Sequence, residues 1–186
     1  VLAARGYQEA ITYSFIEPGL ARRFGAEDAR ERVLSNPISA DLAVMRQSLW
    51  PGLVLAAREN LRRQQPRVRL FEIGARYFSG DAEGQAEERC IAGIATGSRW
   101  PEQWGERTQA LDVFDVKADV EALLALGGRR AACGFEAAHH PALHPGRCVR
   151  ISVEGREAGW LGELHPALAA ELELPGAVLF ELRVEV

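Results

Sequence analysis

The run Cys90 to Thr96, CIAGIAT, is almost wholly apolar and uncharged, and its seven residues suit a strand better than a helix. Such a strand belongs at the centre of a sheet, so the rest of the chain must supply its neighbours. Val68 to Phe78 (VRLFEIGARYF) alternates with a period of two and reads as a strand, with Gly74 as a bulge or bend. Further strands are predicted at Ala10–Ile16, Arg32–Ser35, Ala131–Phe135, Cys148–Val153, Glu157–Leu164 and Val178–Val184. Glu154-Gly155 would turn one of them into the next as a hairpin. Helices are predicted at Pro18–Phe24, at Leu49–Arg63, at Val116–Leu126 and after Pro166. In the second, Leu49, Leu53, Ala57 and Leu61 form one stripe, and Pro51 falls in the first turn, where its missing N–H is harmless. In the third, Asp115 is the expected cap and Gly127-Gly128 the stop. The pattern predicts one α+β domain over residues 1–186, built on a mostly antiparallel sheet flanked by helices.

Hydrophobic residues make up 47% of the 186, which excludes disorder, and no apolar run is long enough for a membrane helix. The net charge of -4 argues against a dedicated nucleic-acid or membrane-surface coat. Cys90, Cys133 and Cys148 are odd in number and widely spaced, which suggests reduced thiols and a cytoplasmic setting. The start at Val1, inside a helix-like stretch, suggests a segment of a longer protein. Basic residues are 21 Arg against one Lys, Lys117, so Arg abundance alone says little about RNA.

Six stretches occur in one order: GYQEAITYSF, SNPIS–DLAVMRQSLWPGL, RLFEIGARYF, FDVKADVEALL, HPGRCVRI and GWLGELHP. Together, from Gly6 to about Leu182, they resemble the C-terminal half of the bacterial phenylalanyl-tRNA synthetase beta subunit. The resemblance implies a fold similar to class II synthetase catalytic cores. It also implies a catalytic-like module that pairs with a catalytic alpha subunit, in a holoenzyme that joins phenylalanine to its tRNA with ATP and magnesium.

An adenylate-forming core needs cations where phosphate charge develops. By the resemblance, an ATP-binding Arg of the second class II motif corresponds to Phe78, which cannot neutralise a phosphate. The third motif's glycines and Arg correspond to Pro175–Phe180, a plain strand, with Arg183 on it but without those glycines. The expectation is therefore an inactive copy, with no catalytic, cofactor-binding or metal-binding residue in this segment. His140 and His144 have the spacing of a metal pair beside His139, but Pro141 and Pro145 break any helix that would align them. Gly93, Gly97 and Gly105 make no phosphate loop. Lys117 is expected to pair with Asp115 or Asp119.

Partner contact is expected at Met45, Leu49 and Trp50, around the start of the longest helix. Trp100 and Trp104 either cap the core beneath their loop or anchor a partner. Arg62, Arg63 and Arg67 are candidates for touching a tRNA backbone. Two other functions compete with a docking module: an active ATP-dependent ligase domain, and an independent RNA-binding module suggested by Arg58, Arg62, Arg63, Arg67 and Arg69.

Overall fold

The computed structural model of the chain describes residues 1–25, 31–79, 85–126 and 132–184. In chain order the elements are β1 Gln8–Glu9, β2 Phe15–Ile16, α1 Pro18–Phe24, β3 Arg32–Val33, β4 Val44–Met45, α2 Trp50–Arg62, β5 Val68–Ser79 and β6 Gln85–Thr96. They continue with α3 Val113–Leu126, β7 Cys133–Ala137, β8 Leu143–Val153, β9 Arg156–Leu164, α4 Pro166–Glu171 and β10 Ala177–Arg183. The main sheet has seven strands in the order β1-β5-β6-β10-β9-β8-β7, and β2, β4 and β3 form a small second sheet. Among the described residues only the β1–β5 pair is parallel. The fold is α+β on a mostly antiparallel sheet.

The apolar run that opened the argument lies in β6, between β5 and β10, and both of its faces are covered. Cys90, Ala92 and Ile94 pack with Leu49, Leu53, Val54 and Ala57 around α2, together with Leu168 and Ala169 of α4. On the opposite face Ala95 packs with Val116 and Val120 of α3. β10 alternates in the same way, with Leu179 on the α2 side and Val178, Phe180 and Leu182 on the α3 side. Gly93 pairs with Phe180 in register, and a Cβ there would fall 2.3 Å from the Phe180 ring. The glycine gives that ring its place.

Four local expectations are corrected. Gly74 is no bulge, because β5 and β6 pair without interruption from Val68↔Thr96 to Ser79↔Gln85. Its missing side chain makes room for Arg46, whose Nη2 would lie 2.4 Å from a Cβ. Ala10–Ile16 is not one strand; it leaves the main sheet after β1 and joins the small sheet at β2. The α3 cap is Asp112, whose Oδ1 accepts from the N–H groups of Phe114 and Asp115 at 2.7 and 3.1 Å. Asp115 returns the bond by accepting from Asp112 N–H at 3.0 Å, so the two form a reciprocal box. Lys117 pairs with Glu121 one turn on and stands 4.3 Å from the Phe135 ring centre. Asp115 and Asp119 are engaged by arginines instead. The hairpin expectation holds: Glu154 and Gly155 both have positive φ, 52° and 78°, as a tight primed turn requires. The expected stop at Gly127-Gly128 lies outside the described residues.

Candidate functional site

On the α2 side of the sheet, a cleft of about 220 Å³ opens between β5, β10 and the loop before α2. Arg76 of β5 reaches it from the strand next to β6, where Glu88 is its cross-strand partner. Arg76 Nε donates to Glu88 Oε2 at 2.7 Å and Nη1 donates to Glu181 Oε1 at 2.8 Å. Arg183 lies 3.0 Å from Glu88 Oε1 and 3.6 Å from Glu157 Oε1. Two guanidiniums are thus set among three carboxylates, and the cluster carries a formal charge of -1. Phe78 lies beneath Arg76, with the guanidinium carbon 5.0 Å from its ring centre.

Glu181 also ties the cleft to α2. Its Oε2 accepts from Ser48 Oγ and from Leu49 N–H, each at 2.8 Å, so a buried carboxylate sits at the positive end of the helix. Every oxygen of Glu181 is already used within the chain. The cleft therefore does not fit ATP or Mg²⁺: its two guanidiniums are already paired with carboxylates of the same chain, and both oxygens of its central carboxylate are engaged.

The remaining chemistry of the cleft is quiet. His140 is wedged between Trp50 and Trp160, ring centres 5.1 and 5.2 Å away, and its Nδ1 accepts from Ala142 N–H. Burial, with His139 and Arg76 nearby, pushes its pKa down to about 4. His144 Nδ1 similarly accepts from Gly146 N–H. The Cys90 thiol is pushed up to about 12 by burial and by Glu181, and burial pushes Cys148 up to about 11, so neither supplies a thiolate at neutral pH.

The expected partner residues are placed very differently from one another. Leu49 and Trp50 are core residues, 0% and 2% exposed, and Trp50 Nε1 donates to Phe180 O at 2.9 Å. They offer no surface, because the first turn of α2 is driven into the sheet by the wide apolar stripe it shares with Leu53 and Val54. Met45 is half-buried on β4, opposite Phe15 and Arg32. Trp100 is 56% exposed and Trp104 fully exposed, so these two indoles do not cap the core. The three arginines do not converge. Arg62 pairs with Glu59 and Glu173, whereas Arg63 and Arg67 line a separate polar pocket.

A larger apolar groove was not foreseen. It encloses about 600 Å³ and is lined by Ile11, Tyr13, Phe15, Leu42, Leu55 and Leu172, among others. Beside it Ile11 and Tyr13 are 93% and 75% exposed. Their segment is pinned from behind: Thr12 Oγ1 donates to Glu72 Oε2 at 2.7 Å and accepts from Arg46 Nη1 at 3.0 Å, and Arg46 and Glu72 form a buried pair at 2.8 Å. One signal was legible. Within Ala10–Ile16, Ile11, Tyr13 and Phe15 alternate with the polar Thr12 and Ser14, so the segment carries three large apolar side chains at every second position.

Residues 1–184 match the sequence model of the phenylalanyl tRNA synthetase beta chain CLM domain. Phenylalanine–tRNA ligase beta subunits of Pseudomonas fluorescens Pf-5 and Nitrosococcus oceani are 54% and 50% identical to the chain, over 98% and 100% of its length. The chain spans 23% of the length of each. Two structures of pyrrolysyl-tRNA synthetase from Desulfitobacterium hafniense share its fold. They have TM-scores of 0.68 and 0.67, cover 99% and 98% of the chain and 60% and 62% of their own length, and are 16% and 18% identical. That likeness concerns the fold alone, and it is the class II synthetase fold. On the family match and the 50–54% identity across its whole length, this chain belongs to the CLM-domain family of phenylalanyl-tRNA synthetase beta chains.

Proposed function

We propose that the chain acts as a non-catalytic structural and docking module of a phenylalanyl-tRNA synthetase beta subunit. On this reading residues 1–186 form one unit of a cytoplasmic assembly in which an alpha subunit uses ATP and Mg²⁺ to join phenylalanine to tRNA. The observation that carries the non-catalytic part is the Arg76–Glu181 pair. The cations that could meet a phosphate are neutralised by Glu88, Glu157 and Glu181 of the same chain. A rigid class II-type fold whose cleft has no free cation for a phosphate among the described residues retains its surface as its useful property.

The docking part is supported by the groove beside Ile11 and Tyr13. Ile11 and Tyr13 both line this groove and are largely exposed, and large exposed apolar side chains at one place are the usual mark of a protein interface. The partner surface is thereby moved from Leu49 and Trp50 to the segment that crosses the outer side of α2. Its test is the pair Ile11→Asp and Tyr13→Asp in the beta chain co-expressed with its alpha subunit. The expected outcome is unchanged folding by circular dichroism with assembly weakened at least tenfold. Wild-type assembly by the folded double variant would remove this face from consideration.

A further inference from the structure

A second pocket, of about 400 Å³, lies where the end of α2 meets the start of β5 and the edge strand β1. Arg63, Arg67 and Arg69 line it with Gln8, Asn60 and Gln65, and no acidic residue is among its walls. Arg67 and Arg69 crowd together: the Nη2 of each donates to the same carbonyl, Arg99 O, at 3.4 and 3.0 Å. The nearest carboxylate is fully engaged. Asp119 accepts from Arg5 at 2.8 Å, from Tyr7 Oη at 2.9 Å and from Arg69 at 3.2 Å. One carboxylate thus serves Arg5 and Arg69, Arg67 bonds only the Arg99 carbonyl among the described residues, and Arg63 adds a further cation at the mouth.

Burial and the neighbouring Arg69 hold the Arg67 guanidinium below its ordinary pKa. The Nε atoms of both Arg67 and Arg69 have no hydrogen-bond partner among the described residues. Two half-satisfied guanidiniums side by side are destabilising unless an anion completes them. The end of α2 does not fill that role. Its last carbonyls are taken by the N–H groups of Arg63, Gln64 and Gln65.

We propose that the pocket walled by Arg63, Arg67 and Arg69 is a phosphate-binding site. With Arg69 held by Asp119 and the Arg99 carbonyl, Arg63 and Arg67 are the guanidiniums left to meet a ligand, and a pair of them in an arginine-lined cavity without acidic walls suits a tetrahedral oxyanion with several acceptor oxygens. The amides of Gln8 and Gln65 supply neutral donors around it, whereas the Asn60 amide donates to Ala56 O. The site is separate from the Arg76 cleft and stands whether or not the docking reading does.

The test is made on the natural chain that carries these residues, purified with whatever subunit accompanies it. Inorganic phosphate is titrated against chloride at constant ionic strength, and binding is followed by ³¹P line broadening and by the melting temperature. Phosphate is expected to bind the wild type and an Arg107→Gln control alike, and Arg67→Gln together with Arg63→Gln to weaken it at least tenfold. In phosphate-free buffer Arg67→Gln should melt no lower than the wild type, because it removes a like-charge contact. If Arg67→Gln does not fold, Arg63→Gln at the exposed mouth carries the same comparison. A second arm measures tRNA binding against salt, where each lost phosphodiester contact lowers the slope by roughly 0.7–0.9. Loss in the phosphate arm alone identifies a small phosphate-bearing ligand, and a lowered tRNA slope identifies a polynucleotide backbone. No dependence on Arg67 and Arg63 in either arm overturns the site.

Discussion

Glu181 holds Arg76 at 2.8 Å across β6, and with its other oxygen it holds the first turn of α2. One buried carboxylate thereby satisfies a guanidinium, the Ser48 hydroxyl and a helix-end N–H. The position that could serve an anionic substrate serves the architecture instead. Glu181→Leu strands all three donors and should cost about 3–5 kcal/mol, the range for breaking a buried ion pair. Glu181→Gln keeps an acceptor and should cost less. Urea denaturation of the two variants measures both, and equal losses would contradict this account of the charge.

His140 gives a pH dependence of definite sign. Its folded-state pKa of about 4 lies below the ordinary 6.5, so the unfolded chain takes up the proton first as pH falls. The stability it contributes is complete above pH 6.5, declines between 6.5 and 4, and is lost below that. His140→Gln should flatten the stability-versus-pH curve within this window relative to wild type. Parallel curves for the two proteins would show that the ring is not held neutral by its burial between Trp50 and Trp160.

Two tryptophans should behave oppositely. Trp50 is buried and donates to Phe180 O, so Trp50→Ala should lose about 3–5 kcal/mol through cavity formation and the orphaned carbonyl. Trp104 is fully exposed, and Trp104→Ser should change stability by no more than about 0.5 kcal/mol. Thermal or chemical unfolding distinguishes them directly. A marked loss at Trp104 would mean that its loop packs more tightly than the structure describes.

The neutralised cleft predicts that this chain alone catalyses no phenylalanine-dependent exchange of pyrophosphate into ATP. Robust exchange by the purified chain, abolished by Arg76→Ala, would overturn the reading of Arg76 as a structural cation.

The sequence by itself determined the strand-and-helix alternation and the family. The apolar run Cys90–Thr96, the Leu49–Leu53–Ala57 stripe and the Glu154-Gly155 turn each follow from local pattern, which is why their elements lie close to where they were expected. By the resemblance, Phe78 and the glycine-poor terminal strand suggested an inactive copy, and the exchange assay above is what tests that expectation. What needed tertiary structure was every pairing across distance. Gly74 reads as a bend in isolation, but its purpose is set by Arg46, 28 positions earlier, whose side chain occupies the space a Cβ would take. Lys117 chose Glu121 over the nearer aspartates because Arg99 and Arg69 arrive from other elements to claim them. Trp50 looked like an anchor at a helix entrance, and only the packing of α2 onto β10 turns its indole inward, towards a backbone carbonyl 130 residues away. Hydrophobic period fixes which face of an element is buried. Which charged groups meet, and which apolar face stays open, depends on how the elements are stacked, and local pattern does not encode that stacking.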